Sequence, residues 1–278
     1  MRRLFCCAVL CLCLSEAPCA AAGYDNFANG TSALNRGEID LAITEFTVAL
    51  TAGDLSPNLV PTAHFERARA YIRKSQCAAA RDDLTDALKL KGDYEDAFVL
   101  RATVNRCLGD YKASVDDLSQ AIALNALPAR YLARGRAHWD AGEFAACAAD
   151  LRTGYAKMSG ERHFGAVLWA EMCELRAGTL SPDDIAKDKS ELDLDGWPRA
   201  LFDLFQGRAA PADVDTAAAY GDAANLSRQA CEAAFYEAEW QLAGRNEDEA
   251  KRLLTKARET CPHNFAEFEA AKIDSRQR

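Results

Sequence analysis

Apolar positions along this 278-residue chain recur at helical spacing, and the small ones among them recur in step. Gly30, Ala42 and Ala49 form a triplet spaced twelve then seven residues. The same spacing returns in Ala68, Ala80, Ala87, in Ala102, Ser114, Ala121, in Gly135, Cys147, Gly154 and in Ala238, Ala250, Ala257. Three residues before each last member stands a large apolar side chain: Phe46, Leu84, Leu118, Leu151 and Leu254. Small residues at fixed offsets mark places where two helices cross too closely for bulk. A unit of this length is one helix hairpin, which buries its apolar face only against its neighbours. The triplets begin 38, 34 and 33 residues apart and then 103, which leaves room for two degenerate units.

The turn chemistry predicts the same elements. Gly37-Glu38, Gly109-Asp110, Gly142-Glu143 and Gly244-Arg245 fall where a first helix stops and a second begins. Hairpins are expected over Tyr24–Thr51, Pro61–Lys91, Glu95–Asn125 and Pro128–Met158, with Pro61 and Pro128 at first helical positions. Glu161–Ala177 reads as another first helix, and Ser181-Pro182-Asp183-Asp184 caps a short second one. Short helices follow at Arg199–Gln206 and Ala212–Tyr220, then a full hairpin at Cys231–Thr260 and a solvating helix at Phe265–Ile273. No stretch alternates with period two for long enough to predict a strand. The expected fold class is all-α.

With these residues the chain resembles the tetratricopeptide repeat family. The third unit carries the likeness best, from Ala97-Phe98 through Gly109-Asp110-Tyr111 to Ala121-Ile122-Ala123-Leu124. The resemblance implies a right-handed superhelix, an α-solenoid of helix hairpins, whose concave face binds peptides or proteins and which is not an enzyme. Trp197-Pro198, Leu204-Phe205-Gln206-Gly207, Cys231-Glu232 with Phe235-Tyr236, and Asn264-Phe265-Ala266-Glu267 are similar to the C-terminal half of NlpI-like periplasmic repeat adaptors. Those adaptors bring envelope hydrolases to a processing protease. The expected organisation is a signal peptide over 1–22, four repeats over 23–160, degenerate repeats and irregular helices over 161–229, and a C-terminal repeat with capping helix over 230–278.

The signal reading rests on Arg2-Arg3, the apolar run Leu4–Leu14 and the small residues up to Ala22. Eleven apolar residues are too few to span a bilayer, which needs about 20. Cys19 follows Pro18 rather than a small residue, which argues against a lipid anchor. A periplasmic or secreted location is expected. Cleavage would leave 31 basic and 41 acidic residues, a net charge of −10. So acidic a chain lacks the electrostatic footprint of a nucleic-acid binder.

Cleavage would also leave six of the eleven cysteines, an even number that suits disulfides in an exported chain. The repeat register favours sequential pairing: Cys77 with Cys107, Cys147 with Cys173, Cys231 with Cys261. Each bridge would close a loop of roughly 25–30 residues and contribute about 3 kcal/mol. The alternative is buried free thiols, since Cys147 fills a small-residue slot.

Candidate chemistry is sparse. Four scattered histidines build no active site. His263 stands near Cys261 in sequence, so Cys231, Cys261 and His263 are the residues of an alternative reading as a metal site or thiol enzyme. A fourth ligand, a third orienting group and a phosphate loop are all missing, so no cofactor and no metal are expected. The adjacent acids Asp82-Asp83, Asp116-Asp117 and Asp183-Asp184 read as helix-surface and capping charges. The family resemblance puts contact residues on first helices: Phe65, Arg69 and Arg73, then Val99 and Arg106, then Leu132, Arg136 and Trp139, with Trp169 after them. Guanidinium groups beside aromatic and aliphatic neighbours suit a peptide that bears carboxylates. The competing reading has these arginines in salt bridges and Trp139 in the core. The expected function is therefore an exported scaffold for protein or peptide clients.

Overall fold

The computed structural model describes residues 22–158, 164–192, 196–221, 223–263 and 265–274. The expected signal peptide thus lies, but for Ala22, outside the described residues. Among those described, every regular element is a helix, so the fold is all-α. No described helix is long and apolar enough to cross a membrane. The chain divides into two compact units, Met1–Gly92 and Asp93–Arg278.

The first unit holds two hairpins, α1 (Ala22–Arg36) with α2 (Ile39–Thr51) and α3 (Val60–Arg73) with α4 (Cys77–Leu90). The small-residue slots sit where helices cross. A Cβ on Gly30 would stand 2.8 Å from Phe46 Cδ1, closer than real Cβ contacts, so only glycine fits there. Ala42, Ala49, Ala68, Ala80 and Ala87 are wholly buried.

The second unit continues with α5 (Glu95–Cys107), α6 (Tyr111–Leu124), α7 (Pro128–Asp140) and α8 (Phe144–Ala156). The next pair is α9 (Phe164–Ala177) and α10 (Pro182–Glu191), and the Ser181 side chain accepts from the backbone N–H of Asp183 and Asp184 as a cap should. Two short helices, α11 (Trp197–Phe205) and α12 (Pro211–Ala218), lead to α13 (Ala223–Ala243), α14 (Glu247–Thr260) and α15 (Ala266–Asp274). α13 begins eight residues before the expected Cys231, because its first turns pack beside α12.

The position seven residues after each first small slot ends the first helix with positive φ. Gly37, Gly109 and Gly142 take it freely. In the other two hairpins Ser75 and Arg245 occupy the same place at φ 58° and 63°. The expected turn glycine of the last hairpin, Gly244, is therefore one residue early, and Arg245 carries a strain of about 1–2 kcal/mol.

Three hairpins carry an internal ion pair, and two of these overturn the surface reading of Asp83 and Asp117, whereas Asp183 and Asp184 stay exposed at a capped helix start as expected. Arg67 Nη2 donates to Asp83 Oδ1 at 2.7 Å, Arg101 Nη2 to Asp117 Oδ1 at 2.6 Å, and Arg134 Nη2 to Asp150 Oδ1 at 2.7 Å. In each case Nε bonds the other carboxylate oxygen. Arg67 and Arg134 also reach back to Thr47 and Ser119, hydroxyls on the preceding second helix. The three aspartates are buried. Burial raises the Asp83 carboxyl, but hydrogen bonds from Arg67 and His64 outweigh it and hold the group below its ordinary range. Only one acid of Asp82-Asp83 and one of Asp116-Asp117 faces inward, since neighbours on a helix point apart.

From α7 onward the core becomes aromatic. Trp139 meets Phe144, Trp169 and Phe235 edge-on at 5.0, 5.5 and 6.5 Å between ring centroids. Two disulfides bound this region, Cys147–Cys173 at 2.03 Å between α8 and α9, and Cys231–Cys261 at 2.11 Å closing the mouth of α13–α14. Cys77 and Cys107 are disulfide-bonded as well. The helix α15 is no solvating tail: its Ala270 and Ala271 are buried in the same core.

Candidate functional site

In the first unit α3 positions three of the expected contact residues. Phe65 is half-buried, three residues before the packing slot Ala68 and hence on its face of the helix. Arg69 is half-buried and pairs with Glu66 at 2.6 Å. Arg73 donates to the Leu34 carbonyl at 3.1 Å. Both arginines thus have local partners.

In the second unit the same row of positions turns inward. Leu132 lies three residues before Gly135, and its Cδ2 would stand 2.6 Å from a Cβ on Gly154. Leu132 therefore packs against its own second helix, not against a groove. Val99 does likewise in the cluster of Ala102, Leu118 and Ala137. Trp139 is 2 % exposed and belongs to the core, because α9, α13 and α15 close over the end of α7. Arg106 donates Nε–H to Asp140 Oδ2 at 2.5 Å, which joins α5 to α7.

Arg136 differs from all of these. Its guanidinium lies over the Trp169 ring, 3.7 Å from the centroid. Among the described residues it has no ion-pair or hydrogen-bond partner, and burial lowers its pKa. It borders a cavity of about 220 Å³ with Arg106, Trp139, Trp169, His263, Phe265 and Glu269 in the walls. The lid of this cavity is α15 and the turn before it. Glu267 holds that lid down, since its Oε1 accepts from Trp169 Nε1 at 3.0 Å and from the Tyr236 hydroxyl at 3.3 Å. The cavity has no sequence signature: Trp169 and Glu267 are 98 residues apart.

A second charged cluster lies between α8, α9 and α10. Arg152 bonds both oxygens of Glu174 at 2.8 and 2.9 Å and also pairs with Asp188. Glu171 is fully buried beside them. Burial, with the negative Asp188 next in effect, pushes its carboxyl up to about 9. This cluster faces no described cavity and ties helices together.

Cys231 and Cys261 are bonded to each other, so neither presents a thiolate. His263 stacks on Phe268 with ring centroids 4.5 Å apart. Among the described residues no group of three His, Cys, Asp or Glu side chains is arranged to hold a metal. The alternative metal or thiol chemistry has no support in this geometry.

No family model and no curated protein matches the sequence. Solved structures do match the fold. A tetratricopeptide repeat protein from Parabacteroides merdae superposes with a TM-score of 0.61 at 15 % identity, over 91 % of this chain and 98 % of that one. The apo form of RapI gives 0.56 at 13 % identity, over 91 % and 99 %. MamA gives 0.54 at 19 % identity, over 61 % of this chain and 89 % of its own. The fold is thus of the tetratricopeptide repeat type.

Proposed function

We propose that the chain is an exported, non-catalytic scaffold that holds protein or peptide partners on its first helices, in the manner of a cell-envelope adaptor. One observation carries the reading. The repeat fold presents arginines on first helices, and one of them, Arg136, has no direct ion-pair or hydrogen-bond partner among the described residues and borders a cavity. A guanidinium whose donors lack partners is costly to withdraw from water and is expected where a ligand supplies the acceptors. The oxidised state of all six cysteines beyond the first 22 residues supports export, because such bridges persist outside the reducing cytosol. Envelope hydrolases or proteases are the client class that the likeness to periplasmic adaptors suggests.

The test is photo-crosslinking in intact cells, with a photoreactive residue placed beside Arg69 or beside Arg106. Defined adducts that disappear on charge reversal at the neighbouring arginine, with helicity unchanged, are expected. Adducts indifferent to both reversals would move the partner surface elsewhere. Export is tested by thiol alkylation: protein made with residues 1–22 should resist it, and protein made without them in the cytosol should react.

A further inference from the structure

We propose that the cavity walled by α7, α9 and α15 is a binding subsite for a single carboxylate group carried on an apolar residue. The proposal rests on the scaffold reading above and names the chemistry that one point of its surface selects.

Hydrogen-bond accounting around the cavity leaves one guanidinium over. Asp140 takes the charge of Arg106 at 2.5 Å, and Glu269 faces Lys272 at 3.3 Å. The negative Glu267 attracts Arg136 most strongly, but its Oε1 accepts from Trp169 and Tyr236 and makes no direct bond to the guanidinium. Arg136 is left with its donors unused among the described residues. Its stacking on Trp169 fixes the plane of the fork, and a planar fork held in place matches a carboxylate bidentately. The half-buried guanidinium borders the cavity, so a ligand there meets it partly shielded from bulk water, where a charged hydrogen bond is stronger.

The remaining walls say what carries the carboxylate. Trp139, Phe265, Ala266 and Ala270 are apolar or aromatic. The volume of about 220 Å³ lies below the roughly 300–1,000 Å³ of small-molecule pockets and suits one amino-acid residue. The carboxylate can come from a peptide's C-terminus, from an acidic side chain, or from a free amino-acid derivative; the group recognised is the same. The helix α15 is a wall of the site rather than an obstacle to it.

Titration of the oxidised protein with N-acetylphenylalanine and with N-acetylphenylalaninamide, followed by tryptophan fluorescence, tests the proposal directly, since two of the four tryptophans line the cavity. The acid is expected to bind at least tenfold more tightly than the amide, with affinity falling as salt rises. Arg136→Gln should bring the acid down to the amide's affinity while the amide's own affinity holds. An acid-to-amide ratio near one in the wild type, which needs no variant to fold, overturns the proposal. So does a ratio that survives Arg136→Gln. Pentapeptides with a free C-terminal carboxylate, or with an amidated end and an internal glutamate, identify the source; tight binding of either upholds the subsite. A ratio near one with crosslinked adducts retained would remove the subsite and leave the scaffold standing. Absence of any adduct from the wild type at both positions would remove the scaffold reading itself.

Discussion

The hairpins α3–α4, α5–α6 and α7–α8 share their small-residue frame with the last hairpin, α13–α14, yet fill two further positions in opposite ways. The residue before the first small slot is Arg67, Arg101 or Arg134 in the three, and Glu237 in the last. The residue four before the last small slot is Asp83, Asp117 or Asp150 in the three, and Leu253 in the last. The three therefore carry an internal guanidinium–carboxylate rung, and the last carries a buried carboxyl with no guanidinium opposite. Burial, with Asp215 adding negative charge, pushes Glu237 up to about 7. Size at the crossing points thus defines the repeat, while the polar rung is a separate device. In the last hairpin, where it is missing, a disulfide and an aromatic core hold the helices instead.

The contrast breaks most visibly at a rung. Asp117→Ala leaves Arg101 without its carboxylate and strips Asn105 Nδ2 of its acceptor at 3.0 Å. A loss of about 3–5 kcal/mol is expected, as for other ion pairs broken from one side. Urea melts followed by circular dichroism measure it, and a loss below about 1 kcal/mol would mean that the rung is ornamental. In the last hairpin the corresponding prop is covalent. The double variant Cys231→Ser with Cys261→Ser should cost about 2–4 kcal/mol by freeing the unfolded chain, while native helicity persists because the stacking remains. Non-reducing peptide mapping checks that the remaining bridges keep their partners.

The fold was legible because its signal is steric. Gly30 and Gly135 leave no space for a Cβ, and residues so placed repeat at a fixed interval that can be read directly. The rungs were legible in principle, since Arg67, Arg101 and Arg134 recur one residue before a small slot. Adjacent acids such as Asp82 and Asp83 hid them, because composition does not say which of two neighbours turns inward. The contact residues were read least well. Leu132, Val99 and Trp139 share the packing stripe with the small slots, so their apolar character reported core rather than groove. The role of α15 depends on contacts between residues nearly a hundred positions apart, which local pattern does not encode.

A smaller effect separates the two kinds of hairpin by pH. Native Glu237 keeps its proton up to about pH 7, whereas in the unfolded chain the same carboxyl releases it near 4.5. Across that window the folded state binds more protons, so stability falls as pH rises, by about 3 kcal/mol at most. Glu171, pushed up to about 9, extends the decline toward pH 9. Glu237→Gln should flatten the slope between pH 5 and 7, and Glu171→Gln should flatten it across pH 5 to 9. Urea midpoints at unit pH steps read both effects, and unchanged slopes would mean that neither carboxyl is held protonated.

The smallest net effect is expected from transplanting the rung. Glu237→Arg together with Leu253→Asp would give α13–α14 the pair that the other three hairpins carry. A buried ion pair roughly balances its desolvation against its attraction, so the double variant should lie within about 1 kcal/mol of the wild type. Each single change should be far worse. Leu253→Asp sets a second buried carboxyl opposite Glu237, and Glu237→Arg buries a cation opposite leucine. The informative quantity is the coupling in the double-mutant cycle, expected at about 2–3 kcal/mol, since the two slots face each other in three other hairpins. Additive singles would show that α13 and α14 cross in a different register. The shared spacing of Ala238, Ala250 and Ala257 would then mark size alone and not a common geometry.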